Sequence, residues 1–477
     1  MRLARIMRFL RLNLAVLAVA AGLAGCAGGL SSLPSDSLSL AASDTTPVSS
    51  RDPEVAGRER VATDAVPYTI AMADPARAAQ ILALRGTARA AVSGTRSIAA
   101  APDSTPATKN NLFDVVTVLW GTDRKIETRV IGEAPPQPAT GPLVTSSVGV
   151  GKITYATPTT ERGSKLTTGA AIVTIPRTAR QTGTIPRPRQ YTFLDPRYYR
   201  ETESPAKHFT IASLRVLDEA ELIARANGLI DKSQRFKDQA LVFVHGYNTS
   251  FDDALYRTAQ IAHDLEFDGL AAMYSWPSRG TYVDYSYDLN SAARAQSYLI
   301  AFLERIAKET RAKRIHIVAH SMGNRPLIEA LRTLQQNGSR EVRAKIGQVV
   351  FAAPDVDRDL FSEITSKLEI GLGRTLYASN EDKALILSRQ ADGVPRAGDV
   401  PPGGPVILKG LDTIDISSAS TKALLATNHS NYAERSHILK DIQLLIDTGT
   451  RPPDARFPLY QVAEARGGRY WRYVPNQ

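Results

Sequence analysis

Residues 314–323 read Arg-Ile-His-Ile-Val-Ala-His-Ser-Met-Gly, an apolar run that ends in a serine and a glycine. The residues that follow, 324–334, have the composition of a helix. A sharp turn between a buried strand and a helix lifts a serine hydroxyl above the sheet and directs the next backbone N–H at the oxygen that becomes negative during attack. The pattern predicts Ser321 as a nucleophile and the Met322 N–H as an oxyanion donor. The alternative is an ordinary strand-to-helix junction.

A second strand followed by a turn lies upstream. Residues 240–244 read Ala-Leu-Val-Phe-Val, a run suited to a strand buried on both faces, and His245-Gly246-Tyr247 follow it. Because glycine lets the backbone approach the nucleophile closely, the Tyr247 N–H is the predicted second oxyanion donor. We expect His245 to brace this turn through hydrogen bonds rather than to act as a base.

Downstream of the serine, the sequence offers a histidine and three candidate carboxylates. His429 lies in a polar loop before a final amphipathic helix, and it is the predicted general base. Asp382 follows the later of two predicted strands, 374–378, and is the first choice of acid. Asp355 follows the earlier strand, 346–351, and is the alternative, and Glu381 is third. Such a carboxylate would hold the imidazole tautomer and stabilise the imidazolium. The alternative roles are loop bracing for Asp355 and helix capping for Asp382.

These motifs occur in the order nucleophile, acid, histidine, which is the chain order of α/β-hydrolases. Together with residues 116–124 and 274–278, they resemble those of bacterial α/β-hydrolases of the esterase/lipase superfamily that form a family of unknown function. The resemblance extends from about Val116 through the helix after His429, and it includes a Thr-Asp-Arg signature at 122–124. It implies an α/β fold with a mainly parallel sheet covered by helices on both faces, a serine-hydrolase site and esterase-like activity, but no particular substrate.

The chain departs from the family pattern in two ways. Asn428 stands where a glycine usually precedes the catalytic histidine, and long inserts occur around residues 132–147 and 389–409. Trp276 follows a predicted strand at the same end of the sheet as the serine. We expect it either to line the substrate pocket or to pack against the turn.

The N-terminus predicts a lipid anchor. Arginines precede an apolar run of 11 residues, 14–24, which is shorter than the roughly 20 residues that span a bilayer and fits a signal peptide. Leu-Ala-Gly-Cys at 23–26 resembles the lipobox of bacterial lipoproteins, so Cys26, the single cysteine, is the predicted lipid attachment point. An alanine after the cysteine, here Ala27, resembles the residue at that position in lipoproteins that are sorted to the outer membrane. The expected location is the bacterial cell envelope, facing the periplasm, whereas a leaderless cytoplasmic protein is the alternative.

Composition shifts along the chain predict its organisation. A signal peptide at 1–25 precedes a flexible, largely disordered tether at 26–111 that is rich in Ala, Ser, Thr and Pro. A β-rich part of short strands is expected at 112–232, and alternating strands and helices indicate a catalytic core at 233–448. The tail, 449–477, is expected to dock on the core, against the N-terminal strands.

The charge and histidine content narrow the possible partners. The 477 residues carry a formal charge of +10, and without the four arginines of the leader 54 basic residues face 48 acidic ones. This excess favours anionic surfaces, but without a basic stripe bearing aromatics we do not expect nucleic-acid binding. None of the seven histidines has the paired spacing of a zinc site, so no metal or cofactor is expected.

The sequence therefore predicts a membrane-anchored serine hydrolase that cleaves carboxylic esters of small molecules or lipids through an acyl-enzyme. An acyltransferase or peptidase acting on an envelope substrate, and a non-catalytic binding lipoprotein on the same scaffold, are the alternatives. The oligomeric state stays open.

Overall fold

The computed structural model describes residues 112–131, 153–177, 180, 182–188, 202–280, 284–380, 394–419 and 432–475. The predicted leader, Cys26 and the tether lie outside these residues. So do Glu381, Asp382, the loop that contains His429 and the first insert.

Eleven strands of the described residues form one sheet. They are β1 (Phe113–Ile131), β2 (Ile153–Pro176), β3 (Thr210–Val216), β4 (Gln239–Val244), β5 (Leu270–Ser275), β6 (Arg314–His320), β7 (Ile346–Ala352), β8 (Gly373–Ala378), β9 (Leu411–Asp415), β10 (Tyr460–Ala465) and β11 (Gly468–Tyr473). Their order across the sheet is β10-β11-β9-β8-β7-β6-β4-β5-β1-β2-β3. In this order, every pair of neighbouring strands between β11 and β1 is parallel. The remaining pairs, β1–β2, β2–β3 and β10–β11, lie at the two edges of the sheet and are antiparallel.

Helices connect most of the parallel strands. They are α1 (Glu219–Lys232), α2 (Phe251–Asp264), α3 (Tyr285–Glu309), α4 (Asn324–Asn337), α5 (Arg340–Lys345), α6 (Arg358–Ser366), α7 (Tyr432–Thr448) and α8 (Pro453–Arg456). In the part of the chain that the structure describes, none of the helices combines the length and the apolar character needed to cross a membrane.

The helices cover both faces of the sheet, as alternation along β4 shows. Ala240, Val242 and Val244 pack on one face with apolar residues of α1, α3, α4, α5 and α6. Leu241 and Phe243 point to the other face and pack with residues of α2 and α7. A strand covered on both faces reads as a continuous apolar run, which is what residues 240–244 are. The predicted α/β-hydrolase fold with a β-rich N-terminal extension is therefore confirmed.

The N-terminal part differs from the short strands that its Gly and Pro residues predicted. β1 and β2 contain 19 and 24 residues and pair from Phe113↔Pro176 to Ile131↔Ile153. Gly169 lies inside β2 rather than at its end. A Cβ at this position would lie 2.2 Å from the Trp120 ring, so the ring needs a glycine here. The glycine that suggested a break instead makes room for a buried indole.

The C-terminal tail also differs from the prediction. It docks on the core, but β11 pairs with β9 through Trp471↔Ile414, at the opposite edge of the sheet from β1–β3. Docking on the N-terminal strands is therefore wrong. The physical reason is a buried carboxylate on α7, Asp441, which accepts hydrogen bonds from Arg456 Nε at 2.6 Å and from the Tyr460 hydroxyl at 2.8 Å.

Replacing Asp441 with alanine tests this anchor. The Arg456 and Asp441 side chains are 1% and 0% exposed, so the substitution leaves a buried cation without its partner, and the free energy of unfolding should fall by about 3–5 kcal/mol. The matched control is Asp447→Ala in the same helix, which breaks a more exposed pair with Arg235 and should cost at most about 1 kcal/mol. Denaturant unfolding measures both. Similar losses in the two variants would refute the anchoring role.

Candidate active site

Ser321 lies at the turn that its sequence predicts. It begins a short 3₁₀ turn, Ser321–Gly323, between β6 and α4. Its φ is +49°, in the left-handed region that residues other than glycine rarely adopt. Strain of this kind persists only where the surroundings fix it, and it is typical of a nucleophile held on a strand-to-helix turn. The predicted strand, turn and helix are confirmed, whereas the role of the hydroxyl stays a prediction.

Two hydrogen bonds hold the backbone of this turn. The Ser321 carbonyl oxygen accepts from Asn324 Nδ2 at 2.9 Å and from the Asp355 N–H at 3.1 Å. Asn324 Nδ2 also lies 3.3 Å from the Ala319 carbonyl, at the end of β6. The left-handed residue is thus tied to its own helix, its own strand and the loop after β7.

Residues 245–250 contain the predicted oxyanion donor Tyr247 and are here called the oxyanion loop. They pass directly against the serine. A Cβ on Gly246 would lie 2.9 Å from Ser321 Cβ, and one on Gly323 would lie 2.3 Å from the His245 carbonyl oxygen. Only glycines permit contacts this close. The structure therefore brings together the turns that contain Tyr247 and Met322, the two predicted oxyanion donors.

His245 braces this loop, as predicted. Its ring is 1% exposed, with Nδ1 2.8 Å from the Gly246 carbonyl and Nε2 3.1 Å from Ser275 Oγ. Trp276 stacks on it with ring centroids 4.9 Å apart and donates its indole N–H to the His245 carbonyl at 2.8 Å. Because Trp276 is 0% exposed, its contacts fit the prediction that it packs against the turn. Contact between Trp276 and a substrate stays a prediction.

The two described histidines beside Ser321 are poor general bases. Burial, with the charge of Arg124 adding to it, lowers the pKa of His245 to about 3. Burial lowers the pKa of His320 to about 4, and the charge of Arg257 acts in the same direction. A base works best when its pKa lies near the operating pH, so neither imidazole is suited to accept the serine proton near neutrality. The predicted base, His429, lies outside the described residues.

Asp355, the alternative acid, is close to the serine but engaged. Its side chain is 3% exposed and lies 3.2 Å, Oδ1 to Nε, from the buried guanidinium of Arg396, and Oδ2 accepts from the Tyr285 hydroxyl at 3.1 Å. Its main chain braces the Ser321 turn. These contacts fit the loop-bracing alternative, and the role of acid stays a prediction for Asp355 as for Asp382. Arg396 belongs to the second insert, where the sequence offered no sign of its burial.

Asp123 of the Thr-Asp-Arg signature is a second buried carboxylate. It is 0% exposed and accepts from the Tyr274 hydroxyl at 2.8 Å. Burial raises the pKa of Asp123 to about 6, despite that hydrogen bond and the neighbouring charge of Arg124. The folded protein therefore binds this proton more tightly than the unfolded chain does. The contribution to stability is largest at acidic pH and is lost as the pH rises towards 6.

The substitution Asp123→Asn should remove that pH dependence. As the pH rises from 4 to 7, ionisation of Asp123 should lower the free energy of unfolding of the unaltered protein by up to about 3 kcal/mol, because two units of pKa shift correspond to that energy. The asparagine keeps the acceptor for Tyr274 and does not titrate. Unfolding in denaturant at both pH values should show that the free energy of unfolding of the variant, relative to that of the unaltered protein, is higher at pH 7 than at pH 4. A constant difference between the two proteins would contradict the raised pKa.

Within the described residues, no group of three or more His, Cys, Asp or Glu side chains is placed to hold a metal ion.

Comparison with known proteins agrees with this architecture. Residues 223–448 match the model of a family described as "Alpha/beta hydrolase of unknown function (DUF900)". A comparison with curated proteins gives no match. The matched segment runs from within α1 to the end of α7, and it contains the oxyanion loop, the Ser321 turn and Asp355. Residues 223–448 therefore resemble this family, and the sheet and helices of the segment have the α/β-hydrolase architecture.

Proposed function

We propose that the protein is a serine hydrolase that cleaves carboxylic esters by two-step acyl transfer. The observation that carries the proposal is the left-handed Ser321 at the end of β6, with Gly246 of the oxyanion loop packed against it. In α/β-hydrolases, a serine on such a turn and a loop beside it supply the attacking hydroxyl and the backbone N–H groups of the oxyanion hole. This arrangement suits attack on a carbonyl carbon.

The proposed chemistry uses the groups of this site in two steps. His429 takes the Ser321 proton as Oγ attacks the ester carbonyl, and the N–H groups of Tyr247 and Met322 bind the oxyanion. The imidazolium then gives its proton to the leaving alcohol, and an acyl-enzyme remains. Water, deprotonated by the same imidazole, then attacks the acyl carbonyl. The bond to Oγ breaks, the imidazolium returns its proton to Ser321, and the acid is released. Asp382, or alternatively Asp355, would orient the imidazole.

A panel of 4-nitrophenyl esters of increasing acyl length tests this activity. The full chain in detergent should hydrolyse part of the panel, and a protein with alanine at position 321 gives the background. An added alcohol or amine acceptor separates hydrolysis from transfer, because a transferase yields the new ester or amide instead of free acid. Failure of a folded protein to turn over any ester of the panel would count against the proposal and favour a binding role.

We further propose that the hydrolase is anchored in the cell envelope through lipid on Cys26, at the outer membrane and facing the periplasm. The support is the lipobox-like sequence at 23–26 and the position of the single cysteine within it. Growth with a radiolabelled fatty acid should label the protein, and Cys26→Ser should prevent labelling. Equal incorporation into both proteins would exclude this attachment point.

A further inference from the structure

Arg124 is a buried cation beside the oxyanion loop. It is 1% exposed and donates from Nη2 to the Thr249 carbonyl at 3.0 Å. Nη1 donates to the Ser278 carbonyl at 2.9 Å, and Nε donates to Ser275 Oγ at 3.0 Å. Arg124 therefore binds acceptors from the oxyanion loop and from residues 275–279, here called the β5 turn. Nη1 also donates to the Thr159 carbonyl of β2 at 3.1 Å.

The path of β1 explains how Arg124 reaches both segments. Thr122 pairs with Ser275 of β5, and the β1–β2 register then shifts between Thr122 and Arg124 and again between Arg124 and Ile126. Irregularities of this kind redirect a side chain out of the regular alternation of a strand. Here the redirected side chain enters the space between the loops that follow β4 and β5.

Asp288 of α3 binds the same two segments with opposite polarity. Its Oδ2 accepts from the Asn248 N–H at 3.2 Å and from the Ser278 hydroxyl at 2.5 Å. Its Oδ1 accepts from the Arg279 N–H at 2.9 Å. Asp288 is fully buried, so it has given up its hydration for these donors.

The cation and the anion thus divide the polar groups of the two segments between them. Arg124 takes carbonyl and hydroxyl oxygens, and Asp288 takes N–H and O–H groups. The segments are also joined directly, because the Thr249 N–H donates to Ser278 Oγ at 3.0 Å. Within the oxyanion loop, Asn248 has a φ of +53°, in the left-handed region that asparagine adopts more readily than most residues. The buried charge-assisted hydrogen bonds of Arg124 and Asp288 are strong enough to hold the loop in this conformation.

We propose that Arg124 and Asp288 are paired positioning residues that hold the oxyanion loop in its anion-binding conformation before a substrate arrives. The inference rests on the proposed hydrolase function and adds two residues to that site. Donors that are fixed in advance need no reorganisation during the reaction, and this accounts for much of the benefit of an oxyanion site. Burial is the main cause of the low pKa of His245, and the charge of Arg124 lowers it further, as expected of a cation this close to the loop.

The test compares Arg124→Lys and Asp288→Asn with the control Arg162→Lys. Arg162 binds the same helix through Ser291 Oγ at 2.8 Å but has no described contact with either segment. Each of the first two variants should lower kcat for a hydrolysed ester by about 100-fold with KM within a few fold, because the lost interaction acts on the transition state. The affinity for a boronic acid, which forms a tetrahedral anion on the serine, should fall in parallel.

Hydrogen exchange at the amides of residues 247–249 supplies a readout that does not need turnover. The amides should exchange faster in both variants than in the unaltered protein and the control. A loss of melting temperature with unchanged kcat, boronate affinity and local exchange would overturn the proposal. Faster exchange in a protein that hydrolyses no ester would contradict the hydrolase function while leaving the loop-holding role intact. Asp288→Asn keeps the side-chain shape and guards against a folding failure of the arginine variant.

Discussion

Replacing Ser321 with alanine is expected to lower kcat/KM for ester hydrolysis by about 10⁴–10⁶-fold, the range found when a serine hydrolase loses its nucleophile. The residue that is lost is 4% exposed, at a left-handed turn whose carbonyl is bound by Asn324 and Asp355. No covalent intermediate can form without the hydroxyl. The residual rate would come from binding and from the oxyanion donors alone. Steady-state kinetics on the best ester of the panel measures the ratio.

Ser291→Ala is the matched control for this substitution. Ser291 is a buried serine of α3 that donates to the Tyr287 carbonyl at 2.9 Å and accepts from Arg162 Nε at 2.8 Å. Its loss should change kcat/KM by less than about threefold, because both contacts lie outside the proposed site. If alanine at 321 kept more than a hundredth of the activity, the nucleophile would have to be another residue.

The substitution Gly323→Ala should lower both activity and stability, although it adds one carbon and removes no functional group. Its Cβ would lie 2.3 Å from the His245 carbonyl oxygen and 2.8 Å from that of Val244. Both atoms are backbone, so the serine turn or the end of β4 must shift. We expect about 100-fold lower kcat, because an ångström of misplacement costs that much, and a loss of about 2–3 kcal/mol in the free energy of unfolding.

Gly228→Ala is the control that separates crowding from helix propensity. Gly228 lies inside α1, and nothing stands within 4 Å of the Cβ it would gain. Alanine there should stabilise the protein by up to about 1 kcal/mol and leave kcat unchanged. Full activity of the Gly323 variant would mean that the oxyanion loop and the serine turn are not in the contact described here.

The sequence predicted those parts of the fold that depend on the pattern of a few neighbouring residues. The apolar runs 240–244, 314–318, 346–351 and 374–378 are β4, β6, β7 and β8, because a strand covered on both faces needs such a run. The turn at Ser321 was predictable for the same reason. A strand, a small residue, a serine and a helix within one short window leave the chain little choice.

The features of the fold and the site that were not predicted from the sequence depend on contacts between residues far apart in the chain. The place of the tail follows from the bonds of Asp441 to Arg456 and Tyr460, and the five-residue strand β9 that it pairs with has no clear pattern of its own. The roles of Arg124 and Arg396 were equally hidden. An arginine in a strand or an insert reads as exposed until its carbonyl or carboxylate partners are known.

The most direct test of the central claim, that the Ser321 turn is a nucleophilic site, is covalent labelling with a fluorophosphonate probe. The unaltered protein should gain one adduct, which tandem mass spectrometry of its peptides locates at Ser321, and Ser321→Ala should gain none. Strong labelling of the alanine variant, or an adduct on any other residue, would contradict the account.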